Sequence, residues 1–145
     1  MKIKDCMCGD VIWLNPETSV MDCVKTMKDN HIGSIPVCND NKNIVGFVTD
    51  RDILLRAVAC DLDLNSTKLR DIMTSKVCCC NQDNEVDTAA KIMSDHQIRR
   101  LPVVCDNEIV GILTLKDLAT NKNFDNGTIA STYKNICECN HRNAE

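Results

Sequence analysis

The chain of 145 residues contains the same pattern twice, and this duplication limits its possible folds more than any other feature. A displacement of 66 residues aligns identical residues over the first part of the pattern, including Asp5, Met7, Pro36 and Val37 with Asp71, Met73, Pro102 and Val103. After a one-residue deletion near Lys42 the displacement is 65, and Gly46, Thr49 and Asp52 meet Gly111, Thr114 and Asp117. Two copies in one order indicate two similar supersecondary units in one protein.

Each copy opens with an apolar run followed by a helical pattern. The runs at 11–14 and 77–80 predict short strands. The helical patterns place apolar residues at i, i+3, i+4 and i+7, which is one face of a helix; they are Val20, Cys23, Val24 and Met27 in the first copy and Val86, Ala89, Ala90 and Met93 in the second. We predict Thr18 and Asn84 as their N-caps.

Each copy continues with two strands joined by a polar turn and then a second helix. The predicted strands are 34–38 with 44–48, and 100–104 with 109–113. The second helix presents Ile53, Leu54, Ala57 and Val58 on one face in the first copy, and begins with Leu118 and Ala119 in the second. The expected organisation is a first repeat with linker at 1–66, a second repeat at 67–120 and a polar tail at 121–145, in which Ile129, Tyr133 and Ile136 fit one short helix.

The charge and hydropathy of the chain argue against two classes of partner. The net charge is −4 and the pI is near 5.3, whereas a nucleic-acid-binding protein needs a positive surface. No stretch approaches the roughly 20 apolar residues of a membrane helix. The N-terminal residues lack the apolar core of a signal peptide, so we expect a cytoplasmic protein. From its charge and hydropathy we expect that it binds neither nucleic acid nor membrane.

Eleven cysteines are unusual for such a chain. Several occupy positions where an apolar residue is expected, including Cys23 on a helix face and Cys38 and Cys78 to Cys80 in predicted strands. Free cysteine packs as a small hydrophobic residue. We therefore interpret most of them as core or surface thiols in a reducing compartment.

The two copies resemble the CBS domain, named for cystathionine β-synthase, of which a tandem pair forms a Bateman module. The likeness covers about residues 5 to 120 and rests on a hydrophobic-Pro-Val segment followed by Gly-h-h-Thr-x-x-Asp, where h is hydrophobic. This sequence has Ile35-Pro36-Val37 with 46–52, and Leu101-Pro102-Val103 with 111–117. The resemblance implies an α/β (α+β) fold of two β-α-β-β-α repeats, whose small sheets pack with pseudo-twofold symmetry.

The resemblance also implies a function. Such pairs have two clefts between the repeats, which commonly hold AMP, ADP, ATP or S-adenosylmethionine, and pairs often form homodimers. We therefore expect a non-catalytic sensor of an adenosine nucleotide that needs no other cofactor and acts on an unidentified regulated protein. Two alternatives on the same fold are a thiol- or metal-binding protein and a structural dimer with empty clefts.

The residue chemistry at the strand-to-helix junctions suits a nucleotide. A Thr and an Asp three residues later lie at a helix N-terminus, where free N–H groups favour a phosphate. Asp52 or Asp117 can accept hydrogen bonds from the ribose hydroxyls, and Thr49 or Thr114 can donate one to a phosphate. Plain helix capping is the alternative explanation of both pairs.

Further candidates differ between the copies. Arg99 and Arg100 precede Leu101, where the first copy has Gly33 and Ser34, so the two clefts should differ in affinity or ligand. Solvated arginines are the alternative. Arg51 and Lys116 lie between the Thr and the Asp of their copies, and their side chains either contact a phosphate or face solvent. By resemblance, Ile12, Ile35 and Leu101 are candidates for the adenine slot, and they also suit the core.

The tail contains Cys137, Cys139 and His141, which invite a metal interpretation. Thiolates and imidazole suit zinc, but the Cys-x-Cys spacing differs from the Cys-x₂-Cys of common zinc sites. We therefore predict no metal requirement. The sequence also contains neither a Gly-x-Ser-x-Gly nucleophile motif nor a Gly-x₄-Gly-Lys phosphate loop, which favours a protein that is not an enzyme.

Overall fold

A computed structural model describes residues 1–138 of the chain. It contains five strands and six α-helices among these residues. The strands are β1 (Ser34–Cys38), β2 (Ile44–Thr49), β3 (Cys80–Asn81), β4 (Arg100–Cys105) and β5 (Glu108–Thr114). The helices are α1 (Val20–Asn30), α2 (Asp50–Ile53), α3 (Leu69–Ile72), α4 (Val86–His96), α5 (Leu115–Thr120) and α6 (Asn126–Cys137), with short 3₁₀ and π-helical turns at Ile3–Asp5 and Leu54–Val58.

Helices α1 and α4 form where the apolar spacing predicts them. Their apolar positions are buried except Val24, which is half-buried. Each helix ends in a left-handed residue, His31 and Gln97, both with φ 54°. The caps differ from the prediction. The Oγ of Ser19, not Thr18, accepts from the backbone N–H of Asp22. Glu85, not Asn84, precedes α4, because the Asn84 side chain instead accepts from the backbone N–H of Asn81.

The hairpins follow the prediction more closely than the leading strands do. β1 and β2 pair antiparallel, with Ile35 opposite Val48, and the second sheet has the order β3-β4-β5. The predicted strand at 11–14 is reduced to one parallel bridge between Leu14 and Val37. In the second copy the strand is Cys80–Asn81 and not 77–80, because only these two residues pair with β4.

The described chain divides into two compact units that do not coincide with the sequence repeats. Of the described residues, unit 1 contains 1–11, 78–105 and 110–138, and unit 2 contains 12–77 and 106–109. The N-terminal segment therefore belongs to the unit built around the second hairpin, where Ile3 is fully buried. The segment around α3 belongs to the unit of the first hairpin, where Leu69 is fully buried.

In each unit a methionine from the leading segment covers a strand glycine. A Cβ atom at Gly111 would lie 2.7 Å from the sulfur of Met7, and one at Gly46 would lie 2.3 Å from the sulfur of Met73. Cys8 and Ile112 exchange backbone hydrogen bonds beside the first contact, and Phe47 and Thr74 do so beside the second. At both positions a side chain would meet the covering methionine, and at Gly111 it would also meet the carbonyl oxygen of Cys8 at 2.7 Å.

The helix after β2 differs from the predicted amphipathic pattern. Ile53 and Ala57 are buried, but Leu54 is 58% exposed and Val58 is 48% exposed. Leu54 and Val58 lie in a π-helical turn, and instead of packing in the core they line an open cavity beside α1. The predicted four-residue apolar face is therefore wrong for Leu54 and Val58.

The expected tail helix is present as α6 and packs on α4 and α5. Ile129 and Ile136 contact the core of unit 1, and Thr132 between them is buried. The Asp125 side chain caps the helix by accepting from the backbone N–H of Thr128 at 2.7 Å. Among the helices of residues 1–138, none combines the length and apolarity that a membrane crossing requires.

Candidate functional site

Both Thr-x-x-Asp pairs form capping boxes at the junctions of strand and helix. The Thr49 hydroxyl accepts from the N–H of Asp52 at 3.1 Å, and the Asp52 carboxylate accepts from the N–H of Thr49 at 3.0 Å. Thr114 and Asp117 make the same two bonds at 3.1 and 2.8 Å. The helix-capping explanation is thus present in both copies, and a role in ligand binding has to use the remaining atoms.

The two aspartates differ in how their carboxylates are engaged. Asp117 Oδ2 accepts both the N–H and the hydroxyl of Thr114. Within residues 1–138, the side-chain hydrogen bonds of Asp117 use this carboxylate oxygen, and its backbone carbonyl accepts from the Thr120 hydroxyl at 3.4 Å. Asp52 Oδ1 lies 3.8 Å from Arg56 Nη2, which adds a positive charge on that side.

A pocket of 460 Å³ in unit 1 brings together four of the predicted binding residues. It is lined by Arg99, Arg100, Thr114, Leu115, Lys116, Ala119, Ile129 and Tyr133, and we call it the second-repeat pocket. Its volume falls in the range of about 300–1,000 Å³ that is typical of small-molecule sites. The lining combines three cations with an apolar wall and contains no carboxylate.

Local structure explains how these side chains converge. Arg99 and Arg100 stand at the start of β4, and the N–H of Leu115 donates to the carbonyl of Arg99 at 2.9 Å, which ties the start of α5 to the start of β4. Ile129 and Tyr133 come from α6. The sequence did not connect these two to the site, although their spacing predicted the helix that carries them.

A second cavity, of 690 Å³, lies in unit 2 between α1 and the turn at Leu54–Val58. We call it the first-repeat groove, and its lining residues are Val24, Met27, Lys28, His31, Ile32, Gly33, Asp50, Ile53, Leu54, Val58 and Leu64. It is mainly apolar, with one lysine, one histidine and one aspartate. None of the first-copy candidates Thr49, Arg51 and Asp52 lines it.

The remaining candidates lie elsewhere. Ile35 and Leu101 are fully buried and belong to the two cores, whereas Ile12 is half-buried and Arg51 is exposed. The pocket in unit 1 therefore unites the basic and hydroxyl candidates of the second copy but includes neither Asp117 nor the apolar candidate Leu101.

The cysteines of residues 1–138 lie in contrasting environments, from buried to exposed. Burial raises the pKa of Cys23 and Cys38 to about 11 and that of Cys80 to about 12, so these thiols stay protonated near neutral pH. Burial also raises the pKa of Cys6, and the charge of Asp117 adds to this. Within residues 1–138 no three His, Cys, Asp or Glu side chains are grouped to hold a metal ion. Cys137 ends α6 and is exposed, while Cys139 and His141 lie outside the described residues.

Known proteins resemble the chain in both sequence and structure. The uncharacterized protein YlbB of Bacillus subtilis (strain 168) is 37% identical over 142 residues, which span 97% of this chain and 95% of that protein. Hypoxic Response Protein I, solved with two coordinated zinc ions, has a TM-score of 0.76 at 27% identity and covers 82% of this chain and 97% of its own.

A further solved structure is the CBS domain pair of protein MJ0100 in complex with 5′-methylthioadenosine and S-adenosyl-L-methionine. It has a TM-score of 0.71 at 30% identity and covers 82% of this chain and 93% of its own. The family model of the CBS domain matches residues 3–59 and again residues 69–122. With this double match, the chain belongs to the CBS-domain family as a tandem pair of two small-sheet repeats.

Proposed function

We propose that the chain is a non-catalytic regulatory module that senses an adenosine nucleotide, with the nucleotide phosphates in the second-repeat pocket. The observation that carries the proposal is the convergence of Arg99, Arg100 and Lys116 beside Thr114 in one cavity without a carboxylate. The MJ0100 domain pair, which is 30% identical, is described with two adenosine ligands and supports the choice of adenosine.

The lining suggests one role for each kind of side chain. The three cations attract phosphates, and the guanidinium groups can donate two parallel hydrogen bonds to one phosphate. Leu115, Ile129 and Tyr133 offer an apolar surface to adenine. Asp117 does not line the pocket, and its role as an acceptor for the ribose hydroxyls rests on its place three residues after Thr114 at the same helix start. A hydrogen bond to a charged group contributes about 1.5–3 kcal/mol, so each lost contact should weaken binding about 10- to 150-fold.

The positive charge of the pocket also predicts its preference among adenosine ligands. AMP, ADP and ATP carry negative phosphates, whereas S-adenosylmethionine carries a sulfonium cation and methylthioadenosine has no charge. Three cations without a carboxylate should repel the sulfonium and favour the nucleotides. The first-repeat groove has one lysine and one aspartate, so it offers no comparable phosphate site.

Calorimetric titration of the reduced protein with AMP, ADP, ATP and S-adenosylmethionine tests the proposal. Saturable binding of a nucleotide, stronger than that of S-adenosylmethionine, is expected. The double change Arg99→Gly and Arg100→Ser installs the residues of the first copy and should abolish binding. Lys116→Ala should weaken it more than Arg51→Ala, the matched change in the first copy. Failure of all four ligands to bind the folded protein would refute the proposal.

The capping boxes determine how the aspartate is tested. Asp117→Ala removes the carboxylate together with its half of the capping box, the bond from the N–H of Thr114, and a lost hydrogen bond of this kind costs about 1 kcal/mol of stability. Asp117→Asn keeps an oxygen that can accept from the N–H of Thr114 but removes the negative charge. If the carboxylate binds ribose, Asp117→Asn should weaken nucleotide binding while the thermal midpoint changes less than in Asp117→Ala.

The output of the module is also part of the proposal. Ligand binding shifts the population of two conformations, and a regulated protein responds to that shift. A homodimer and a cytoplasmic location remain predictions from the family likeness and the sequence. Sedimentation equilibrium with and without nucleotide tests the dimer, and cell fractionation tests the location.

A further inference from the structure

Helix α6 lies outside the repeated pattern. The CBS-domain match ends at residue 122, and α6 begins at Asn126. In the first copy the residues that follow the second helix, 59–68, form no helix. In unit 1, α6 packs on α4 and α5 and supplies Ile129 and Tyr133 to the second-repeat pocket. One wall of the proposed nucleotide site therefore comes from an element that the repeat itself does not contain.

The sequence of α6 forms a helix only weakly on its own. Of its twelve residues, only Ala130 and Lys134 belong to the strongest helix formers. Isolated helices shorter than about 12–15 residues are marginal in water even when they are rich in alanine. We therefore expect α6 to be helical only while it is docked on unit 1, so that its detachment and its unfolding are one event.

Few apolar contacts hold α6 in place. Ile129 and Ile136 pack on the core of unit 1 but are only half-buried, and Thr132 is the one buried residue of the helix. Phe124, just before the helix, is buried in the same core and anchors the connection. Elements with few buried apolar contacts lie at the low end of local stability, so α6 can detach while Phe124 stays in place.

Polar contacts fix the carboxyl end of α6 without reaching the pocket. Gln97 Nε2 donates to the carbonyl oxygens of Asn135 and Glu138 at 3.2 and 3.0 Å. Asn135 Nδ2 donates in turn to the hydroxyl of Ser94 at 3.4 Å. Neither Ser94 nor Gln97 lines the second-repeat pocket, so these contacts can be changed without removing a residue that faces the ligand.

A nucleotide in the pocket would contact both the repeat and α6. The cations Arg99, Arg100 and Lys116 belong to the start of β4 and to α5, whereas Ile129 and Tyr133 belong to α6. Phosphates on the cations and a base against α6 together make contacts that exist only while α6 is docked. A ligand that binds one of two conformations more tightly shifts the population toward that conformation.

We propose that α6 is the element through which the module responds to nucleotide, because occupation of the second-repeat pocket drives α6 to fold and dock on unit 1. The inference rests on the proposed nucleotide site and identifies its two conformations as α6 docked and α6 unfolded. Coupling between binding and docking is reciprocal, so the factor by which nucleotide favours docking equals the factor by which docking tightens nucleotide binding.

Hydrogen–deuterium exchange of the reduced full-length protein, read by mass spectrometry, measures the docking of α6. AMP, ADP and ATP are each added at saturation. Inorganic tripolyphosphate is the control ligand, because it offers charge to the cations but no base to α6. A bound nucleotide should slow exchange in 126–137 about tenfold, as expected for one base stacked on an aromatic side chain, and tripolyphosphate should not slow it.

Two variants weaken docking at a distance from the pocket. Ile136→Ser removes an apolar contact with the core, and Gln97→Asn keeps a residue that tolerates the left-handed conformation but shortens its reach to α6. Each should speed exchange in α6, and a docked fraction of about one-tenth would weaken nucleotide binding about tenfold in calorimetry. Cys137→Ser, at the exposed next position, and His31→Asn, at the equivalent of Gln97 in the first copy, should change neither quantity. Unchanged exchange in α1 and β4 shows that the variants are folded.

Calorimetry separates the failure of this inference from the failure of the nucleotide site. Nucleotide binding that leaves α6 exchange unchanged would overturn the coupling alone, as would tight binding by variants whose exchange shows α6 released. Protection of α6 that persists in both variants would show a permanently docked helix and would overturn it too. Equal protection by ATP and tripolyphosphate would remove the role of the base. If AMP, ADP and ATP all fail to bind the folded protein, both proposals fall.

Discussion

The two glycines covered by methionines make a sharp prediction about stability. An alanine Cβ at position 111 would lie 2.7 Å from the carbonyl oxygen of Cys8 and 2.7 Å from the sulfur of Met7. Met7 can rotate away, but Cys8 cannot retreat freely, because it exchanges two backbone hydrogen bonds of 3.0 Å with Ile112. Gly111→Ala therefore has to displace the backbone.

At position 46, the equivalent of 111 in the first copy, an added Cβ would meet only a flexible side chain. An alanine Cβ at position 46 would lie 2.3 Å from the sulfur of Met73 and 2.9 Å from its Cγ, with no backbone atom among the three nearest. Methionine adapts its three torsions readily. We expect a cost of about 1 kcal/mol for Gly46→Ala and about 3 kcal/mol for Gly111→Ala, since overpacking costs about 1–3 kcal/mol and strained hydrogen bonds add to it.

Urea unfolding followed by circular dichroism measures both free energies of unfolding, and a double-mutant comparison separates the causes. Met73→Ala should recover most of the loss in Gly46→Ala. Met7→Ala should recover little in Gly111→Ala, because the Cys8 carbonyl remains. Equal costs for the two glycine changes, or full recovery by Met7→Ala, would refute the assignment of the larger cost to the backbone contact.

Three further predictions concern charge, thiols and capping. Hydrogen bonds from Lys2 and the amino terminus lower the pKa of Glu85 from 4.5 to about 2, so its stabilising effect is present above pH 4.5 and is lost as the pH falls toward 2. Glu85→Gln should lower the thermal midpoint at pH 6 and not at pH 2. Iodoacetamide at pH 8 should label the exposed thiols Cys8, Cys60 and Cys137, which mass spectrometry detects, before the buried Cys23, Cys38 and Cys80; fast labelling of Cys80 would contradict its high pKa. Ser19→Ala should cost about 1 kcal/mol in urea unfolding and Thr18→Ala less, because Ser19 is the observed cap.

The repeated pattern predicted the hairpins and main helices well, because their signals are local and occur twice. The lengths of the leading strands were overestimated, because an apolar run indicates burial but does not show which strand it pairs with. Leu14 forms a single parallel bridge, with Val37. The caps were misplaced by one residue because Ser, Thr and Asn all suit the position, and only the structure shows that Asn84 serves the preceding turn.

The candidate site was predicted in part for a similar reason. The basic and hydroxyl residues of the second-repeat pocket follow from short motifs, whereas Ile129 and Tyr133 come from a helix that is distant in sequence. The exposure of Leu54 and Val58 was also missed, because apolar spacing marks one face of a helix but does not show whether another element covers that face.

The distribution of the leading segments between the units has a consequence for the origin and dissection of the protein. A polypeptide ending at residue 66 would lack Leu69 and Ile72, which are buried in unit 2, and one starting at 67 would lack Ile3, which is buried in unit 1. Neither half of the gene therefore encodes a self-sufficient folding unit. Two halves expressed together should complement each other by trading these segments, and an ancestor with a single repeat would have had to do so between two molecules before duplication joined them.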